Sequence, residues 1–566
     1  VGNVNSWTIS DWQRDIRLAQ DSHIDAFALN IANNGGYASQ IANAFSAANS
    51  LGFKLFFSFD YAAQGAFVQQ DVIGLVNQYR SNSAYYKYNG KPFVSTFEGP
   101  GSSGDWTAIK SQTECFFIPD WSSLGAQAAI SRGVADGLFS WEAWPSGPTQ
   151  MTTAPDNSYK SALNGKPYMM PVSPWFFTNL PGYGKNWLWR GDDLWFDRWS
   201  QVMNVQPDFV EILTWNDWGE SHYIAPLDDR QWDLFDSANG NAPYNYAQDM
   251  PHDGWRLFLP YVIDMYKNGK ASISTEGLVS WYRRSPGMAC ASGGTTGNSA
   301  SQGQQEYPPA QVAQDRVFFS ALLTSYADVT VTIGSTTQTG IWKDTPSGGS
   351  GIYHGSVPFK GRGAVSVKIS RDGKLVMQMN GESITDSCTH NIENWNAWVG
   401  SASATGSGSG PGSVSTASSS TLKTSTTAPA SHLLVVAARS ALQELEMGTW
   451  LDSVVSPATM DFVPRTLVPV LREDVKLMPL LHQTLLVSLQ PARISPSTVA
   501  SVNSLAAAAI ALQALAHRIR QRQQMAMGPS VLLVAAVKTW PDFAASRATM
   551  DSALAMLVPA LKEEVK

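Results

Sequence analysis

From residue 9 to residue 270 the chain alternates two hydrophobic patterns. Short, nearly continuous apolar runs fall at 26–30, 54–59, 92–97, 115–119, 137–141, 167–172 and 209–213. Apolar runs of this length predict parallel strands covered on both faces. Between them lie stretches with helical patterning, at 9–21, 40–51, 68–79, 105–112, 125–133, 159–163, 192–202 and 255–266. Seven strands and eight helices fit a closed barrel of eight β/α units, which needs about 250 residues, provided the missing strand precedes the first helix. Val1-Gly2-Asn3-Val4 reads as the tail of that strand, so the first strand is expected to be truncated.

From residue 271 the pattern changes to short alternating runs, as in Asp328-Val329-Thr330-Val331-Thr332-Ile333 and Ala364-Val365-Ser366-Val367-Lys368-Ile369, with the hairpin signal Asp372-Gly373. That alternation predicts an antiparallel β-sandwich over 271–400. Residues 401–430 are almost all Ser, Thr, Gly, Ala and Pro and read as a flexible linker. Residues 431–566 are rich in Ala, Leu and Val and carry an internal repeat of period 90: Ala458-Thr459-Met460-Asp461 recurs as Ala548-Thr549-Met550-Asp551. This predicts a duplicated α-helical region to which no chemistry is assigned. The expected fold class is multidomain: a (β/α)8 barrel over 1–270, the sandwich, the linker and the helical region.

Composition narrows the function. An apolar content of 43% allows a sizeable core, and a net charge of −7 without a basic tract argues against nucleic acid as a partner. No apolar run reaches the roughly 18 residues of a membrane span, so a soluble monomer with no membrane association is expected. The chain opens without an initiator Met or a signal-peptide pattern and reads as a fragment or a processed product. Histidines and cysteines lack metal-ligand spacing, so neither a metal nor another cofactor is expected. Cys115 sits in an apolar run and reads as a buried thiol, whereas Cys290 and Cys388 fall in one candidate domain and would pair in an oxidising compartment. No Asn-x-Ser/Thr sequon occurs.

The candidate chemistry gathers where predicted strands end, the rim on which barrel sites are built. Asp60, Glu98, Asp120 and Glu142 each follow a strand, and Asp217 and Glu220 follow the last one. Aromatics share this rim, among them Tyr61, Trp121, Trp141, Trp175, Trp215, Trp218 and Tyr223. In Thr214-Trp215-Asn216-Asp217-Trp218-Gly219-Glu220-Ser221-His222-Tyr223 two carboxylates stand three residues apart. Glycosidic bond cleavage needs such a pair, one to protonate the leaving oxygen and one to activate water or attack carbon, with flat aromatic faces for the sugar rings. The competing reading is a turn whose Asp and Glu cap the next helix. The aromatics have a rival role as core, and Glu98, Asp120 and Glu142 as braces of their own loops. Asn216 and His222 are candidates for sugar hydroxyls, with a structural role as the alternative.

Several segments together resemble the fungal glycoside hydrolase family 71, the endo-1,3-α-glucanases or mutanases: Val1-Gly2-Asn3-Val4, Phe57-Ser58-Phe59-Asp60, Lys91-Pro92-Phe93-Val94-Ser95-Thr96-Phe97-Glu98-Gly99, Phe117-Ile118-Pro119-Asp120-Trp121, Val172-Ser173-Pro174-Trp175-Phe176 and Thr214 to Ser221. The resemblance covers the first 400 or so residues and does not reach 431–566. It implies a barrel followed by a sandwich, secretion to the wall or medium, and hydrolysis of α-1,3-glucan with inversion at the anomeric carbon. It marks Asp217 and Glu220 as the catalytic pair and Asp60 as a third essential carboxylate. Glu220 as acid and Asp217 as base is the favoured assignment, with the reverse open. A retaining glycosidase on the same barrel and a catalytically inactive polysaccharide-binding or wall-structural protein are the rival functions.

Overall fold

The computed structural model describes residues 1–404 and the strand Leu433–Ala438. The rest of the predicted linker and of the repeat region lies outside the described residues.

Ten strands and eight helices make up the first part of the fold. The strands are β1 (Ala26–Ala32), β2 (Lys54–Asp60), β3 (Lys87–Tyr88), β4 (Lys91–Phe97), β5 (Phe116–Asp120), β6 (Leu138–Phe139), β7 (Tyr168–Val172), β8 (Phe177–Leu180), β9 (Lys185–Leu188) and β10 (Phe209–Leu213). The helices are α1 (Ile9–Asp21), α2 (Ala38–Leu51), α3 (Gln69–Tyr79), α4 (Asp105–Thr113), α5 (Ala126–Ile130), α6 (Ala154–Leu163), α7 (Leu194–Val205) and α8 (Leu259–Asn268). All seven predicted strands form, within a few residues of the expected bounds, and β1, β5, β7 and β10 are buried along their whole length. Local signals explain several boundaries. Thr8 and Asp11 form a capping box at the start of α1, and α2 stops at Gly52 in the left-handed conformation.

The strand missing from the sequence reading comes from an unexpected place. Residues Leu433–Ala438 pair in parallel with β1 on one side and with β10 on the other. With this strand the sheet runs β2-β1-(Leu433–Ala438)-β10-β7-β6-β5-β4, and pairing between β2 and β4 closes the ring. Helical structure expected from residue 431 is therefore corrected at 433–438. Two parallel edges, each a row of unpaired N–H and C=O groups, are satisfied by an extended apolar segment and would stay unpaired beside a helix. Gly2–Val4, expected as the tail of a first strand, is a 3-10 turn.

Beyond α8 the antiparallel expectation is met. One sheet holds Trp342–Asp344, Gly351–Pro358, Arg316–Leu323, Gly277–Tyr282 and Trp398–Ser403, and a second holds Thr336–Thr339, Asp328–Ile333, Gly363–Arg371 and Lys374–Ile384. Their inner faces share a core of Val329, Val331, Val367, Phe319 and Met379, and Asp328–Ile333 alternates exposed and buried positions as its sequence predicts. Cys290 and Cys388 form a disulfide, while Cys115 is a buried free thiol. The described residues all fall in one compact unit. Among the described residues no helix is long and apolar enough to cross a membrane.

Candidate active site

β10 delivers the chain from the barrel core to its rim, and the next ten residues build the site. Thr214 stands first. Its Oγ1 accepts the Asp217 amide at 3.1 Å and meets His222 Nδ1 at 2.9 Å. Asp217 Oδ1 accepts the backbone N–H of Glu220 at 3.0 Å, so Asp217 does cap the short turn Trp218–Glu220. The capping reading is met on this side chain, and capping through one oxygen is compatible with a chemical role. Gly219 is required here by packing: a Cβ would lie 2.9 Å from Leu234 Cδ1 and 3.0 Å from Leu180 Cδ1.

Glu220 is held from both sides. Lys185 Nζ donates to Oε1 at 2.8 Å, and His222 Nε2 meets Oε2 at 2.8 Å. Lys185 is 1% exposed and Glu220 2%. Lys185 comes from β9, the second strand of the hairpin β8–β9 inserted between β7 and α7. Trp144 and Phe176 pack around His222 at 5.6 Å, and Trp187 and Trp189 extend this aromatic wall. Tyr246 closes the far side, its hydroxyl donating to Gly219 O at 2.6 Å, and burial raises that phenol well above its usual range.

Asp217 faces a cavity of about 220 Å³ that also touches Gly2, Asn3, Asn34, Tyr37, Gln64 and Asp233. The loop after β2 forms part of this lining, and Asp60 lies at its root. Asp60 Oδ1 accepts the amides of Ala62 and Ala63 at 3.0 Å, and Oδ2 accepts Asn30 Nδ2 at 3.1 Å. These bonds shape the loop that lines the cavity opposite Asp217.

The remaining predicted site residues divide by environment. Trp121, Trp175, Trp215, Trp218 and Tyr223 lie in the core, each 2% exposed or less. Trp215 Nε1 donates to Asp15 of α1 at 2.8 Å, Trp175 Nε1 to Trp395 O at 2.9 Å, and the Tyr223 hydroxyl to Met250 O. Burial raises the Asp15 carboxyl above its ordinary range, against the lowering effect of Arg14 and Trp215. These aromatics frame the rim and offer it little open face. Tyr61 is also buried, tilted against Phe67, and Trp141 packs edge-on to Phe97. Glu98 accepts the amide and hydroxyl of Ser123, and Asp120 accepts both from Ser122. Each of these two braces a loop. Glu142 is exposed, and Asn216 exchanges hydrogen bonds with Asn3 at the edge of the cavity.

Sequence reasoning missed Lys185. The signal was present but faint, because Lys185 is the one charged residue in the aromatic stretch 175–189. One ligand atom each from Asp217, Glu220 and His222 lie within 4.8 Å of one another. They suit a cation poorly: both His222 nitrogens are committed to Thr214 and Glu220, and the Lys185 ammonium already occupies Glu220. The other cluster of this kind among the described residues, Cys290, Cys388 and Glu393, has both sulfurs in the disulfide.

A ring of parallel strands with a carboxylate pair at the rim, an aromatic wall behind one acid and a polar cavity before the other is an arrangement that suits glycoside hydrolysis. The chain belongs to glycosyl hydrolase family 71, whose profile matches residues 1–411. It is 37% identical over 423 residues to the glucan endo-1,3-alpha-glucosidase of Schizosaccharomyces pombe, covering 71% of this chain and 92% of that protein. It is also 37% identical over 415 residues to a mutanase of Penicillium rubens, covering 71% and 87%. An ascus wall endo-1,3-alpha-glucanase of Schizosaccharomyces pombe is 29% identical over 293 residues, covering 48% and 66%.

Proposed function

We propose that this enzyme hydrolyses α-1,3-glucosidic bonds within α-1,3-glucan, the polymer of mutan and of fungal walls, and that it works outside the cell. The carrying observation is the Asp217–Glu220 pair at the end of β10, with Asp217 facing the polar cavity, in a chain whose relatives are named for this substrate. Asp217 and Glu220 act as the acid/base pair. Asp60 holds the loop that lines the cavity opposite Asp217 and is the third carboxylate of the site. Sugar hydroxyls find Asn3, Asn34, Tyr37 and Gln64 along the cavity.

Inversion at the anomeric carbon is the course we propose. The alternative is retention, in which one of the two carboxylates attacks carbon: retaining enzymes hold their carboxyl groups roughly 5–5.5 Å apart, and inverting ones roughly 6.5–9.5 Å, with room for an attacking water. Proton NMR of the first products from insoluble α-1,3-glucan decides between them. Fresh β-anomer establishes inversion, and fresh α-anomer establishes retention. A wild-type protein that binds the polymer and releases no sugar would overturn both, and the product lengths report endo or exo action.

A further inference from the structure

The hairpin β8–β9 supplies an ammonium that touches the carboxylate pair at Glu220. We propose that Lys185 is a positioning residue of the reaction, which together with His222 fixes the orientation and the charge of Glu220. This rests on the reading of Asp217 and Glu220 as the reacting pair.

The protons around Glu220 follow from the donors present. Thr214 Oγ1 accepts the amide of Asp217, and its own proton finds an acceptor in His222 Nδ1. In the tautomer in which Thr214 donates to Nδ1, His222 carries its proton on Nε2 and donates it to Glu220 Oε2. Lys185, an ammonium with no acceptor of its own, donates to Oε1. Both oxygens of Glu220 thus receive hydrogen bonds, as a carboxylate does. The groups facing it include Lys185 from β9, His222 and Asp217 from its own loop, and the Tyr246 phenol across Gly219. The buried Val1 ammonium acts on Asp217 and Asp60, and Lys185 brings a positive charge to Glu220. At 1% and 2% exposure the pair is beyond the reach of bulk water, where charge interactions are weakly screened. The hairpin itself is tied down: β9 pairs with Thr296–Gly297 on its outer edge, and Asn186 bonds Gly293 O and Thr295 Oγ1. Lys185 is therefore delivered to Glu220 on a rigid element.

Replacing the ammonium with an apolar side chain of similar length leaves Glu220 easier to protonate. The test is the pH–rate profile of Lys185→Met on α-1,3-glucan, with Lys185→Arg as the charge-keeping variant. We expect one limb to move at least about one pH unit upward, equal to a tenfold change in the protonation equilibrium, and Lys185→Arg to restore much of it. Movement of the acidic limb makes Glu220 the base, and movement of the alkaline limb makes it the acid. Loss of rate with neither limb displaced overturns the proposal. If Lys185→Met does not fold, the carboxylate infrared band assigned to Glu220 by difference against Glu220→Gln decides without turnover. Ionisation persisting below the ordinary value of about 4.3 supports the proposal, and ionisation at or above it overturns it. A wild type that shows this band behaviour yet cleaves no glucan would refute the proposed function and leave the role of Lys185 in holding the charge intact.

Discussion

The same four-part chain occurs twice in this protein. At the rim it runs Thr214–His222–Glu220–Lys185, with distances of 2.9, 2.8 and 2.8 Å. Between α7 and the sandwich it runs Ser320–His354–Asp193–Lys343, with distances of 2.9, 2.8 and 3.2 Å. Each joins a hydroxyl to the Nδ1 of a buried imidazole and a carboxylate to its Nε2. Their settings differ. The first chain has three members within one loop of nine residues, beside a second carboxylate and a polar cavity. In the second, Asp193 and His354 are 161 residues apart, Phe196 stacks on the imidazole, and Ser320 borders an aromatic cavity of about 560 Å³. A buried hydroxyl–histidine–carboxylate chain is therefore a bracing device in itself. We propose that it serves chemistry where it holds one member of a carboxylate pair, and it serves cohesion where it joins a barrel helix to a sheet.

The sharpest test of this contrast is on the carboxylates. Asp217→Asn and Glu220→Gln should each lower kcat/KM for α-1,3-glucan by about a thousand-fold or more per folded molecule, with a stability loss in Glu220→Gln as well, because the buried Lys185 ammonium loses its charge partner. Full activity in either variant would remove it from the reacting pair. His354→Ala should do the opposite. Breaking the buried chain costs about 3 kcal/mol of stability in urea unfolding, with turnover per folded molecule within about threefold of wild type.

A pH experiment separates the chains further. Burial pushes the Asp193 carboxyl up, but the hydrogen bond and charge of His354, with Lys343, outweigh it and hold the group at about 2. Its folded value lies below the ordinary 3.8, so its stabilisation is complete above about pH 4 and is lost as pH falls through 3.8 towards 2. Asp193→Asn should thus lose about 2 kcal/mol relative to wild type at pH 6 and converge with it near pH 2. A constant gap across that window would contradict the assignment. The smallest effect is expected at the back of the rim chain. Thr214→Val leaves His222 Nδ1 without its partner, and kcat should fall about tenfold, equivalent to roughly 1.4 kcal/mol. Steady-state kinetics with unchanged KM would confirm it.

Much of the barrel was legible because parallel strands buried on both faces announce themselves as nearly continuous apolar runs, as Lys54–Asp60 and Phe209–Leu213 do. The acids of the rim were legible because they follow those runs directly. Which aromatics have open faces was not, since Trp215 and a sugar-stacking tryptophan look alike until Asp15 is found at the indole nitrogen. The source of the ring's last strand was hidden for a related reason: an apolar hexapeptide more than two hundred residues beyond β10 in the chain carries no mark of its partners.

By itself, the sequence determined the alternation of strands and helices, the alternating sheets beyond 271, and the carboxylate pair at 217 and 220, because local periodicity and adjacency encode all three. Tertiary structure alone decided that Asp217 faces the cavity while Glu220 lies behind it between Lys185 and His222, because a buried charge is defined by what the fold brings within hydrogen-bonding distance, here 35 residues away in the chain.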